Sequence, residues 1–263
     1  SALALALLLP ATAALAEEQK QSFPIPLSRP GEPISMEIDI LNGEIHVIGE
    51  DRDDVLLEVS GEAGGRRIVT PSGPKVVPGG ALQLEIEEYD NEIEIDSDWQ
   101  NSKVVVRARV PHQARLSLST VHDGVIVVEN IEGDLELDNV HGPITARAIT
   151  GTIVAETVHG EIIAELVDVP EARPMVMETL HGDIELRLPE RYGAQLHILS
   201  AAEEVYTDFE VELLPYEPMV ERSERGRFVI EMNREIVAAI NGGGPQVRLE
   251  TRYGNVRVLK TGG

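Results

Sequence analysis

Residues 139–162 read NVHGPITARAITGTIVAETVHGEI. Glycine returns every ninth residue, at Gly124, Gly133, Gly142, Gly151 and Gly160. His141 and His159 precede alternate members of that series. The second residue after each glycine is aliphatic (Ile126, Leu135, Ile144, Ile153, Ile162), and the fourth is apolar (Val128, Leu137, Ala146, Ala155, Ala164). The seventh is apolar too: Ile131, Val140, Ile149, Val158, Val167. Asp134, Glu136, Asp138, Arg147, Glu156 and Glu165 fall between them. A period of two inside each unit predicts a strand with one dry and one wet face. Glycine at a fixed offset marks a corner where a side chain would forbid the backbone's conformation or its close approach.

Nine residues are too few for a helical crossover between parallel strands. An antiparallel meander and a parallel solenoid remain, and likeness of residue identity between units favours the solenoid, where like stacks over like. The histidines set the coil length. His141 and His159 lie 18 residues apart, with Glu132-Gly133 and Thr150-Gly151 as the intervening corners. The expected fold is therefore all-β: a single-stranded parallel β-solenoid of about 18 residues per two-faced coil. Right-handed coiling follows by analogy with parallel crossovers. Ala146 and Ala164 should lie over each other with Ala155 opposite, giving a thin interior.

The unit recurs at His181-Gly182-Asp183-Ile184, after a loop holding Pro170 and Pro174, and at Tyr253-Gly254-Asn255-Val256. Leu41-Asn42-Gly43-Glu44-Ile45 has the same form and reads as a turn between strands. One repeat domain over residues 33–260 is expected. It divides into less regular strands over 33–118 with a loop at 61–80, regular repeats over 119–189, and C-terminal strands over 190–260. Residues 202–226 are irregular and fit no unit. Gly124, Gly133, Gly142, Gly151, Gly160, Gly182 and Gly254 are the structural corner residues.

The 263-residue chain is 42% hydrophobic but only 3% aromatic, so the core must be built from Val, Ile, Leu and Ala. A formal charge of −24 disfavours nucleic acid and anionic membrane surfaces. The absence of cysteine removes disulfides, thiol catalysis and thiolate metal sites. Residues 1–16 are apolar and end in Ala14-Leu15-Ala16 before Glu17-Glu18, like the core and cleavage site of a secretory leader. Export to the periplasm, cell surface or medium is the expectation, with residues 17–32 a flexible linker and no transmembrane helix in the mature chain.

The run LSTVHDGVIVVENIEGDLELDNVHGPITARAITGTIVAETVHGEI, with Val110-Pro111-His112 before it and Asn241-Gly242-Gly243-Gly244-Pro245 near the end, resembles the DUF4097 family of adhesin-like β-strand repeat proteins. The resemblance spans roughly residues 33–260. It implies a β-helix shape and an envelope setting, and no assigned reaction. Where that family usually places Asn before Gly, this chain holds His122, His141, His159 and His181.

Two constellations are candidates for chemistry. A histidine edge of His141, His159 and His181, beside Glu161 and Asp183, offers N and O ligands to a divalent cation such as Zn²⁺. The competing reading is a plain corner residue replacing Asn. Asp134, Glu136 and Asp138, with Thr152 and Glu156 one coil on, could face Ca²⁺ or work as a carboxylate pair on a sugar. Regular outward alternation supplies such carboxylates without catalysis, and Trp99, the single tryptophan, lies outside the repeat. No catalytic residue and no cofactor is assigned. The expected function is a non-enzymatic adhesin-like or scaffold protein with an acidic surface. Its partners would be a protein or a cell-surface polysaccharide, with homo-oligomers through the coil ends or edges. The alternatives are a carbohydrate-active hydrolase or lyase on the same fold, and a metal-binding protein.

Overall fold

The computed structural model describes residues 19–61, 84–97, 103–170, 173–200, 205–215, 220–222, 228–230 and 235–262. The leader, the 61–80 loop beyond Gly61, Trp99 and part of 202–226 lie outside the described residues. In chain order the strands are β1 (Gln19–Pro26), β2 (Ile34–Glu50), β3 (Asp54–Gly61), β4 (Leu84–Tyr89), β5 (Glu92–Ser97), β6 (Val104–Pro111) and β7 (Ala114–Glu129). Then come β8 (Leu135–His141), β9 (Ile144–Thr150), β10 (Ile153–His159), β11 (Ile162–Asp168), β12 (Met175–His181), β13 (Ile184–Leu188) and β14 (Ala194–Ser200). The last are β15 (Val205–Thr207), β16 (Val211–Leu213), β17 (Val220–Arg222), β18 (Phe228–Ile230), β19 (Glu235–Ile240), β20 (Gln246–Tyr253) and β21 (Val256–Lys260). All but β17 and β18 belong to one mixed, mostly parallel 19-stranded sheet.

Two parallel ladders make up most of that sheet. The first runs β5, β2, β7, β8, β10, β12, β20, β14. The second runs β6, β2, β7, β9, β11, β13, β21, β15. Consecutive short strands alternate between ladders, so residues 18 apart meet in register: Ile153 on Leu135, Ala155 on Leu137, Ile162 on Ile144. Ile144 and Ile162 are fully buried, as are Ala146, Ala155 and Ala164. Inward residues of both ladders form one cluster. Each fully buried Val or Ile contributes roughly 1.5–3 kcal/mol of transfer free energy.

Several expectations need correction. Stacking is not serial at the ends: β2 precedes β5 and β6 in sequence but lies between them and β7. Likewise β20 and β21, from the C-terminus, slot between β12–β13 and β14–β15. Both insertions bury apolar strands on two sides. Three of the four outermost parallel strands are covered by antiparallel ones, β4 on β5, β3 on β6 and β19 on β14, whereas β15 pairs with β21 alone among the described strands. Residues 17–32 are not a plain linker, because β1 pairs with β3 and buries Ile25. Asn42-Gly43 does not end a strand. β2 runs through it, changing partner from β5 to β6. Within 202–226, β15 and β16 add edge strands.

The seventh apolar position also splits. Ile131 and Ile149 are buried, whereas Val158 and Val167 are 37% and 46% exposed. Ala148, at φ 54°, makes a bulge in β9, so Leu166 pairs with Ile149 and takes the inward place.

Close approach explains the glycines at the His-Gly corner. An added Cβ at Gly160 would lie 2.0 Å from the Gly142 carbonyl oxygen, and one at Gly254 would lie 1.8 Å from that of Gly182. Neither residue needs a left-handed backbone, whereas Gly142 (φ 139°) does. Gly160→Ala is expected to destabilise the fold by at least about 1–3 kcal/mol, because the obstacle is backbone that cannot move alone. Urea denaturation checks it, with Glu161→Ala as a surface control near zero.

Candidate functional site

The His-Gly corner is built from three stacked columns. The innermost is Thr120, Asn139, Thr157, Thr179 and Thr251, paired rung to rung, with Ser200 at its end. At an ordinary strand position these inward side chains would be apolar. Here each Thr hydroxyl donates to a glycine carbonyl of the preceding rung: Thr120 to Gly43, Thr157 to Gly142, Thr179 to Gly160 and Thr251 to Gly182, at 2.9–3.3 Å. The Asn139 amide does the same to Gly124, and Ser200 to Gly254. The chain turns at these carbonyls, and the hydroxyls satisfy acceptors that would otherwise be buried unpaired. The recurring pattern Thr-x-His-Gly carried this signal. Sequence reasoning weighed its histidine and glycine and missed its threonine.

The outermost column is aromatic. His141 and His159 stack at 5.2 Å between ring centroids and 3° between planes, and His159 and His181 at 4.8 Å and 5°. Tyr253 continues the stack at 4.7 Å from His181, and His122 tilts against His141 at 5.9 Å. The three histidines expected as ligands are therefore brought together, but face to face. Ring-nitrogen lone pairs lie in the ring planes, so parallel rings aim them side by side and not at one point. The His141 Nδ1 is also within 3.2 Å of the Val121 carbonyl.

Asp183 is occupied elsewhere. It accepts from the Asn255 backbone amide at 2.8 Å and from Arg257 at 3.1 Å, and those contacts hold its carboxyl below the usual range against the opposing effect of burial. Glu161 is exposed beside Gly160. Among the described residues, no three His, Asp or Glu side chains converge as a metal site. The histidines outside the column each face a carboxylate: His46 with Glu44, His112 with Asp51, His197 with Glu235.

The acidic constellation divides. Burial would raise Asp134, but hydrogen bonds from Arg173 and Thr152, with the charge of Arg115, outweigh it and hold the carboxyl low. Glu136 and Asp138 point outward from β8, and Asp138 stands in register with Glu156 on β10 and, beyond it, Glu178 on β12. Burial first, then repulsion from Glu136 and Asp39, pushes the Asp138 carboxyl up. Burial first, then Asp138, Glu178 and Glu136, does the same to Glu156.

This column forms one wall of a trough of about 440 Å³ that crosses the rungs of the first ladder. Val121, Val140, Val158 and Leu180 form the other wall, with Arg252 at one end of it, and no aromatic side chain lines the trough. Sequence reasoning named the carboxylates and noted Val140 and Val158 only as an apolar seventh position, without setting them beside the carboxylates.

No family model and no curated protein matches the chain, so the DUF4097 resemblance rests on the corner motifs. Among solved structures the chain is similar to a provisionally named cell adhesion protein from Clostridium sporogenes, at 8% identity and a TM-score of 0.49, covering 93% of this chain and 100% of that one. It is also similar to provisionally named adhesins from Bacteroides fragilis (10% identity, TM-score 0.42, 93% and 98% covered) and Parabacteroides distasonis (11%, 0.29, 94% and 98%). At identities and scores this low, nothing about activity or partner carries over.

Two outcomes test the site's electrostatics and its corners. Glu156→Gln is expected to stabilise the fold at neutral pH by about 0.2–1 kcal/mol, since like charges on facing strands repel. A raised folded-state carboxyl gains protons before the unfolded one does, so the advantage should shrink as pH falls into the ordinary carboxylate range. Thermal melts from pH 7 to 4 follow both. Thr157→Val should cost about 1–3 kcal/mol by leaving the Gly142 carbonyl unpaired, read by the same melts.

Proposed function

We propose that the chain is an exported, two-faced parallel β-solenoid that works without catalysis, as an adhesin-like or scaffold protein of the cell envelope. Residues 1–16 act as the leader and 33–260 as one repeat domain, coiled right-handed by analogy with parallel crossovers. One observation carries the reading: two long in-register ladders, covered at three of their four ends by antiparallel strands, hold regular columns of outward side chains. Such a body is a display surface. Three of its ends are blunted against open-ended stacking, which is how sheet proteins manage exposed edges. The DUF4097-like corner motifs point to the same envelope setting. No helix among the described residues is long and apolar enough to cross a membrane.

A divalent cation on His141, His159, His181, Glu161 and Asp183 is the weaker reading. The stacked rings do not converge, and Asp183 is held by Asn255 and Arg257. A carbohydrate-active hydrolase or lyase would need an acid and a base set apart by different environments. Asp138 and Glu156 are instead raised together by the same kind of surroundings.

Export is tested by expressing the chain in a bacterial host with residues 1–16 kept or removed, then fractionating the cells. The first form should reach the periplasm or surface, shortened at Ala16, and the second should stay inside. Cytoplasmic retention of both forms would overturn the reading.

A further inference from the structure

The two outer faces carry charge differently. On the second ladder and its flanks, acids and bases pair: Glu44 with Lys103 at 2.8 Å, Glu185 with Arg187 at 2.9 Å, Glu129 with Arg147 at 3.8 Å. On the first ladder, Asp39, Ser119, Asp138, Glu156, Glu178 and Glu250 follow one another in register. Arg248 takes up Glu178 and Glu250. Asp138 and Glu156, on adjacent rungs, have no basic partner among the described residues. Facing strands hold them near 4.8 Å apart in backbone terms, where their repulsion opposes folding.

Beside this bare pair stands the aliphatic wall of the trough, Val140, Val158 and Leu180, with Val158 37% exposed; Arg252 also lines the trough, two rungs beyond Glu156. Two walls of opposite character thus run side by side along the stacking direction. A ligand that satisfies both must be a cation with an alkyl spacer, repeated once per rung. A compact divalent ion leaves the aliphatic wall unused and finds no convergent oxygen shell. An extended basic peptide presents same-side side chains every second residue, roughly 6.6 Å apart, out of step with rungs at about 4.8 Å. In a linear polyamine, three methylenes between nitrogens span about one rung, so ammonium groups can meet successive carboxylates while the methylenes lie on valine.

We propose that this trough is a binding site for a linear aliphatic polyamine, with Asp138 and Glu156 holding adjacent ammonium groups and Val140, Val158 and Leu180 packing on the alkyl chain. The site is independent of the envelope reading, since binding is measured on the purified chain wherever the cell puts it. Charge-assisted hydrogen bonds supply the affinity, and the aliphatic wall separates an alkylamine from an inorganic cation.

Titration calorimetry with bis(3-aminopropyl)amine, in buffer of near-physiological salt, tests it. Saturable binding at one site is expected. Asp138→Asn with Glu156→Gln should weaken it at least about tenfold, roughly 1.4 kcal/mol, while raising the melting temperature, so lost binding is not lost folding. Val158→Thr keeps shape and charge and should weaken the triamine severalfold. Equal heats from wild type and the double carboxylate variant would overturn the proposal. So would magnesium chloride at matched ionic strength binding as tightly as the triamine, or an unchanged affinity in Val158→Thr, since either means diffuse attraction only.

Discussion

Parallel, in-register pairing forces every residue to share its environment with the residue one rung away. Whatever a corner does, it must do repeatedly at about 4.8 Å. At the His-Gly corner that constraint selects all three columns. The glycines must lack Cβ because the next backbone arrives within van der Waals distance. The threonines must be polar because the turned carbonyls need donors inside the fold. The histidines must be flat because their neighbours stand directly above and below them. A substitution in one column is thus felt by two rungs.

The same constraint makes a carboxylate column expensive and informative. On the second ladder the chain relieves like-charge stacking with arginine and lysine, as between Glu185 and Arg187. On the first it places Arg248 beside Glu178 and Glu250 and leaves Asp138 and Glu156 bare. Both carboxyls are raised, first by desolvation and then by repulsion from neighbouring carboxylates. The difference lies in side-chain placement and not in backbone, since both ladders share the pairing geometry. It is the physical reason to regard the first face as the one that meets something cationic.

Spacing alone does not make a metal site. Eighteen residues between histidines did bring the rings together. Ligation, however, depends on where lone pairs aim, and stacking fixes them parallel. Asp183 seemed available in the sequence because nothing there says that Asn255 and Arg257, some 70 residues on, arrive beside it. The valines of the trough were hidden for a related reason. A run of identical-looking units invites one inside-outside assignment, but Ile149, after the bulge at Ala148, turns inward while Val158 faces out.

The sequence by itself determined the all-β class, the 18-residue register and the identity of the stacking columns, because periodicity in a parallel ladder is written directly as residue spacing. It also held the Thr-x-His-Gly hydrogen bonds, for a reader who asks where the corner carbonyls find donors. Only the tertiary structure decided that β2 and the pair β20–β21 enter between rungs out of sequence order, and that antiparallel strands cover the β5, β6 and β14 ends. It alone set Val140, Val158 and Leu180 beside the carboxylates as an outer wall. These depend on contacts between segments far apart in the chain, whose free energy comes from pairing strands along both edges and burying their inward faces, and no local spacing encodes which distant strand will fill the gap.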